Sequence, residues 1–321
     1  MKKLSFIILL VFLISGCSNS AVEKKDEHKI GILLSDAGLG DESFNDSAFR
    51  GLEQARDEFG ITFDYREAPD GELEKPLTEL VEQGNDIVIG LGFSVKEGIE
   101  AVAKKYPEQQ FLLIDEVSEL ENVASITFKE QEGSFLVGMV AAMTSKTGKI
   151  GFVGGVDVPL IHHFRAGFEQ GVKYVNPNAE VFVDFAGSFD DAELGSKLAL
   201  AQIDKGADFI YHSAGFTGYG VLQTAQEHNV LAAGVDSDQF FVAEKAVVTS
   251  MLKNVDQAVY DIAKMIDEDG KIDADDYLLG LAEQGVGLAE IRVANLTPDQ
   301  QKALEEATNK IISGEITVDS E

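Results

Sequence analysis

KIGILLSDAGLGDESFNDSAFRG, residues 29–51, contains the transition that decides the fold. Its first six residues form an apolar run of the kind found in strands buried on both faces. Phe49, Leu52, Ala55 and Phe59 then recur at helical spacing, predicting a helix over 48–59. Between the two lies a loop carrying acids, an aromatic, an amide and two glycines. In an open α/β sheet such a loop sits at the strand-end crevice where small ligands bind. An ordinary polar connection, with Asp46 or Ser47 as helix N-cap, fits the same residues.

The alternation begun there continues along the chain. Strands are predicted at 30–34, 61–65, 87–91, 111–114, 123–127, 150–153, 181–185, 209–212, 231–235 and 247–252. Helices are predicted at 48–59, 74–82, 95–105, 133–143, 160–175, 192–205, 221–228 and 255–267. Short apolar strands between amphipathic helices call for parallel sheets covered on both faces. Ten strands exceed one comfortable sheet, so two are expected. A loose repeat supports this. Lys-Ile-Gly opens a strand at Lys29 and again at Lys149, and each half holds a later strand ending on an aspartate, Asp115 and Asp236. Two such halves facing each other make a cleft lined by strand ends from both sides, an α/β architecture of two Rossmann-like lobes. The expected division is 28–128 plus 252–280 for the first lobe and 129–251 plus 281–321 for the second.

Residues 1–16 have the form of a lipoprotein signal peptide. Lys2 and Lys3 precede a short apolar core, and Ile14-Ser15-Gly16-Cys17 resembles a lipobox. Cys17 is the single cysteine, which excludes an intramolecular disulfide or a cysteine metal cluster and is most simply explained by acylation. Several acyl chains would hold the mature chain on a membrane surface. Residues 17–27 are polar and read as a tether. Loss of residues 1–16 removes two of the 26 basic residues and no acid, leaving 24 against 56 and a formal charge of −32. That balance argues against nucleic acid as partner and against lying flat on anionic lipid.

Enzyme signals fail on inspection. Gly151-Phe152-Val153-Gly154-Gly155 lacks phosphate-cradling spacing, and neither a P-loop nor a GxSxG elbow is present. His162 and His163 point about 100° apart on a helix, without a third ligand at helpful spacing. The acidic run around Gly270 does not place its carboxylates where a calcium loop requires them, and reads as a helix-ending turn. Asp190 and Asp191 read as an N-cap pair. No metal or cofactor is expected.

DAGLGDESFND is similar to the opening signature of the basic membrane protein family. The likeness continues through FLLIDEV, SITFKEQEGSFLVGMVAAMTSKTGKIGFVGG, VPLIHHFRAGFEQGVKYVNP, AGVDSDQ, VVTSMLKNVDQAVYD and EQGVGLAEI, over nearly all the mature chain. The resemblance implies a type I periplasmic-binding-protein fold, no catalysis, a nucleoside-like ligand and delivery to an ABC permease from the outer face of the cell membrane. Asp36 falls where the family reads the base, and a carboxylate suits the paired N–H donors of a guanine edge. Phe44 is suited to stacking on the base or to stapling the helix that follows, and Asn45 to holding the loop or meeting the ligand. Asp115 is a second candidate for the base. Asp236 is assigned to the ribose hydroxyls, and Lys253 is a candidate donor to the sugar. In SAGFTGYG, Gly218 would admit the backbone and Phe216 cover the base, although the family usually has glycine at Phe216. The expected ligand is a purine nucleoside, guanosine or inosine first. Relatives binding riboflavin or another heterocycle, or a signalling role beside a membrane regulator, are the alternatives.

Overall fold

The computed structural model describes residues 28–272 and 276–321. The signal peptide, Cys17 and the tether lie outside them, as does Asp273 at the end of the acidic run.

The first sheet holds β1 (Lys29–Leu33), β2 (Thr62–Arg66), β3 (Ile87–Leu91), β4 (Gln110–Ile114), β5 (Val123–Phe128) and β11 (Asp276–Leu279), in the order β11-β5-β4-β3-β1-β2. The second holds β6 (Lys149–Gly154), β7 (Glu180–Phe185), β8 (Phe209–Ser213), β9 (Leu231–Asp236), β10 (Val247–Lys253) and β12 (Val286–Leu288), in the corresponding order β12-β10-β9-β8-β6-β7. Pairing is parallel except where β12 runs against β10. Helices α1 (Phe44–Phe59), α2 (Glu74–Glu82), α3 (Lys96–Lys105), α4 (Glu130–Thr144), α5 (Pro159–Val175), α6 (Ala192–Asp204), α7 (Gly215–Glu227), α8 (Val255–Asp269) and α9 (Pro298–Ile312) supply the connections and the covering layers.

The strand sequences account for their places. β3 is buried along its whole length and β1 and β4 nearly so, because helices cover both faces. The edge strand β2, Thr-Phe-Asp-Tyr-Arg, is largely exposed. The chain passes from the first sheet to the second between β5 and α4. It returns between β10 and α8, which packs on α1, and crosses again between β11 and β12. Glycines set the helix contacts. A Cβ on Gly51 would lie 2.3 Å from the Asp256 carbonyl, so α1 and α8 approach closely only with glycine there. On α5, Gly167 and Gly171 press in the same way on the backbone of α4.

Three elements have no counterpart in the expectation, and two others begin earlier than expected. β11 and β12 are short edge strands with little hydrophobic pattern to reveal them. α9 follows a signal the sequence does carry, the capping box of Thr297 and Gln300 with Pro298 in the first turn. α1 and α7 begin earlier than hydrophobic spacing indicates, at Phe44 and Gly215 instead of 48 and 221. Both early starts bear on the site.

Candidate functional site

Adjacent strands β1 and β3, with β6 and β8 opposite, connect in opposite directions, so their loops diverge and leave a crevice at the strand ends. Asn45 ties the first of these loops together. Its Oδ1 accepts from the Ser35 N–H at 2.9 Å, and its Nδ2 donates to Asp41 at 2.9 Å. With both amide groups committed and no exposure, Asn45 holds the loop. The Asp41 carboxylate accepts the N–H groups of Ser43, Asn45 and Asp46 at 2.9, 2.9 and 3.2 Å, satisfying the open end of α1. That cap is why α1 starts at Phe44, and it supersedes Asp46 or Ser47 in the role. Burial pushes the Asp41 carboxyl up, against the pull of those N–H groups. Ser43, at the N-cap position, donates its hydroxyl across the crevice to Asp236.

Asp115 and Asp236 occupy equivalent places in the two lobes, just after β4 and at the end of β9, both with left-handed backbone (φ 74° and 64°). Aspartate tolerates that conformation better than most residues, and it ends the strand by turning the side chain into the crevice region. Burial pushes Asp236 up to about 6, while the ammonium of Lys253 and the Ser43 hydroxyl pull it down. Burial likewise pushes Asp115 up to about 6 against the pull of Lys253, with Glu130 pushing further.

Lys253 ends β10 and is 2% exposed. Its Nζ lies 2.7 Å from the Asp115 carboxylate and 3.1 Å from Glu130. Burial opposes its charge, but Asp115, Glu130 and Asp236 outweigh it and hold the amine well above the ordinary lysine value. The rings of Phe44, Phe128 and Phe164 stand 5.1, 5.0 and 5.6 Å from the ammonium, a cation–π enclosure drawing on both lobes. Lys253 thus joins Asp115 of the first lobe to Glu130 at the crossing into the second. No local pattern marks Glu130 as buried. Its partner lies over a hundred positions away.

Between the lobes is a partly open cavity, with room for the centres of water-sized molecules over about 80 Å³. Asp36, Phe44, Asp115, Asp236 and Lys253 are on its lining. So are Phe93, Phe164 and Phe189, which the sequence reading did not single out. Phe93 lies two residues past the end of β3 and carried a positional signal, since it follows a strand end of the same sheet as Phe44. Phe189 meets Phe93 edge-on across the crevice at 6.4 Å. Gly155, just after β6, finds its purpose here, because a Cβ on it would lie 2.3 Å from the Phe189 ring.

Phe216 and Gly218 are not on that lining. The early start of α7 puts both in its first turn, where Phe216 stacks on Tyr219 at 5.5 Å. Gly218 makes room for a different neighbour, since a Cβ there would fall 1.9 Å from the buried His212 ring. His162 pairs with Asp157 at 2.7 Å and His163 faces Glu130 at 3.5 Å. Among the described residues no group of three or more metal-ligating side chains is assembled. Gly270 closes α8 in left-handed conformation, and Asp191 caps α6 through the Leu194 N–H.

The arrangement can enclose a flat, partly apolar molecule between rings while accepting hydrogen bonds from its donors. Comparison with known proteins gives a substrate-binding role. The Bmp family model, described as ABC transporter substrate-binding protein PnrA-like, matches residues 29–321. Basic membrane protein A of Borreliella burgdorferi is 32% identical, over 100% of this chain and 96% of its own. A lipoprotein of Pyrococcus abyssi is 35% identical, over 87% of this chain and 74% of its own. The crystal structure of a solute-binding protein of an ABC transporter system from Aeropyrum pernix superposes with a TM-score of 0.84 at 28% identity, covering 90% of this chain and 92% of that one.

Proposed function

The chain belongs to the Bmp family of ABC transporter substrate-binding proteins, which bind a small molecule and pass it to a permease without transforming it, and on that footing we propose that its ligand is a purine nucleoside, guanosine or inosine first. The observation that carries the reading is the pairing, in one cavity, of aromatic walls with buried carboxylates from both lobes. Phe44 stacks on the base, an interaction of roughly 1–3 kcal/mol. Asp36, exposed at the cavity edge, accepts from the N–H groups of the base. Asp236, whose protein partner is the Ser43 hydroxyl, takes the vicinal hydroxyls of the ribose. Asp115, the second candidate for the base, is held 2.7 Å from Lys253, the candidate donor to the sugar, so the two ends of the ligand site are tied to each other. Attachment is through acylated Cys17 on the outer face of the cell membrane. No helix among the described residues is long and apolar enough to cross a membrane.

Mass spectrometry of the small molecules released from gently purified, then denatured, protein tests the assignment. A purine nucleoside in near-stoichiometric amount is expected. Riboflavin or another heterocycle in its place would overturn it while leaving the family role intact.

A further inference from the structure

Gln239 follows the Asp236 loop, in the turn Gln239–Val242, and is 3% exposed. Chemistry fixes the orientation of its amide. The Val235 N–H is a donor only, and it lies 2.9 Å from Gln239 Oε1. Oε1 is therefore an acceptor, and His212 Nε2, 3.0 Å from it, carries the imidazole proton. Burial pushes His212 down to about 4, so it is neutral and the pairing is fixed. The remaining group, Nε2 of Gln239, donates to the carbonyl of Glu42 at 3.0 Å, on the other lobe.

The receiving side is built as specifically. Glu42 has left-handed backbone (φ 53°), a conformation that costs a glutamate energy and persists where neighbours enforce it. Its own N–H is held by Asp46 at 3.0 Å. On one side of it Asp41 caps α1, and on the other Ser43 reaches Asp236. Phe44, on the cavity wall, comes next. Two interlobe hydrogen bonds, Gln239 to the Glu42 carbonyl and Ser43 to Asp236, therefore grip the short segment that carries the cap, the hydroxyl and the ring.

We infer that Gln239 is the latch of the closed state, a positioning residue that holds residues 41–44 against the second lobe and sets how long an enclosed molecule stays. The inference rests on capture by closure, whichever compound is captured. Arg50, which donates to Ser237 at 2.6 Å on the exposed rim, assists from outside.

Gln239→Glu is the variant of choice. A carboxylate still accepts from Val235 and His212, so the second lobe keeps its own bonds, while the donor to Glu42 is lost and a carbonyl faces an anion. Two measurements on the full chain read the result. By hydrogen exchange without ligand, the amides of residues 43–47 should exchange about fivefold or more faster than in wild type, with the Val235 amide unchanged. With inosine, dissociation should accelerate about tenfold or more while association stays within about twofold. Unchanged exchange at residues 43–47 overturns the latch, as does a variant whose inosine dissociation equals that of wild type. Should wild type take up no inosine, the nucleoside assignment fails, and the exchange comparison still decides the latch.

Discussion

Asp236 concentrates the chemistry of the cavity in one carboxyl group. Burial raises it to about 6, against Lys253 and Ser43 and with help from Asp41 and Asp115. A carboxyl raised in the folded state stabilises the ligand-free protein fully below its ordinary value, and that contribution is lost as pH climbs through about 6. Ligand binding runs the other way. Ribose hydroxyls need acceptor oxygens, so they favour the ionised form and their binding releases a proton. Inosine affinity is therefore expected to weaken as pH falls from 7 to 5, approaching tenfold per unit below about 6. Titration at a series of pH values in two buffers of different ionisation heat checks both the slope and the proton release. A flat affinity with no proton exchange would contradict the role of Asp236. Asp236 and Asp115 were legible because each closes an apolar strand with an acid. Glu130 was not, since its burial depends on a distant lysine.

At the scale of elements, the contact between α4 and α5 makes the sharpest demand on sequence. A Cβ on Gly171 would lie 1.9 Å from the Phe135 carbonyl, and one on Gly167 would lie 2.2 Å from that of Gln131. Backbone cannot yield as a flexible side chain does, so Gly171→Ala should destabilise the protein toward the upper end of about 1–3 kcal/mol. Gly287→Ala, where a Cβ would meet nothing within 4 Å, should change little. Urea unfolding of the two variants separates them, and equal midpoints would refute the close-packing argument. Hydrophobic period located both helices in the sequence but not this contact, although glycines four apart on one helix were in view. Period was also silent on where α1 and α7 begin. Their first turns are set by the Asp41 cap and the fit of Gly218 over His212, and neither leaves an apolar signature. The misplacement of Phe216 and Gly218 follows from that one gap.

For the whole molecule, repetition made the architecture readable. Matching strand openings and strand-end aspartates recur in two sheets of corresponding order, and the cavity lies where their diverging loops face each other. The edge strands β11 and β12, one on each sheet, and α9, which packs on α4, add little to that pattern. Attachment belongs to this scale too. Cys17→Ala is expected to release the protein from membranes or block its processing, as fractionation and mature mass would show, and unchanged behaviour in both would refute the anchor. The central claim is that two lobes enclose a purine nucleoside with Phe44 on the base and Asp236 on the sugar. Calorimetric titration of wild type, Asp236→Ala and Phe44→Ala with inosine and 2′,3′-dideoxyinosine tests it most directly. One inosine should bind per wild-type chain, and the dideoxy compound about 100-fold or more weaker. That gap should collapse in Asp236→Ala and persist in Phe44→Ala, where both compounds weaken alike. Equal binding of the two compounds by wild type, or an Asp236→Ala variant that still binds inosine at full strength, would contradict it.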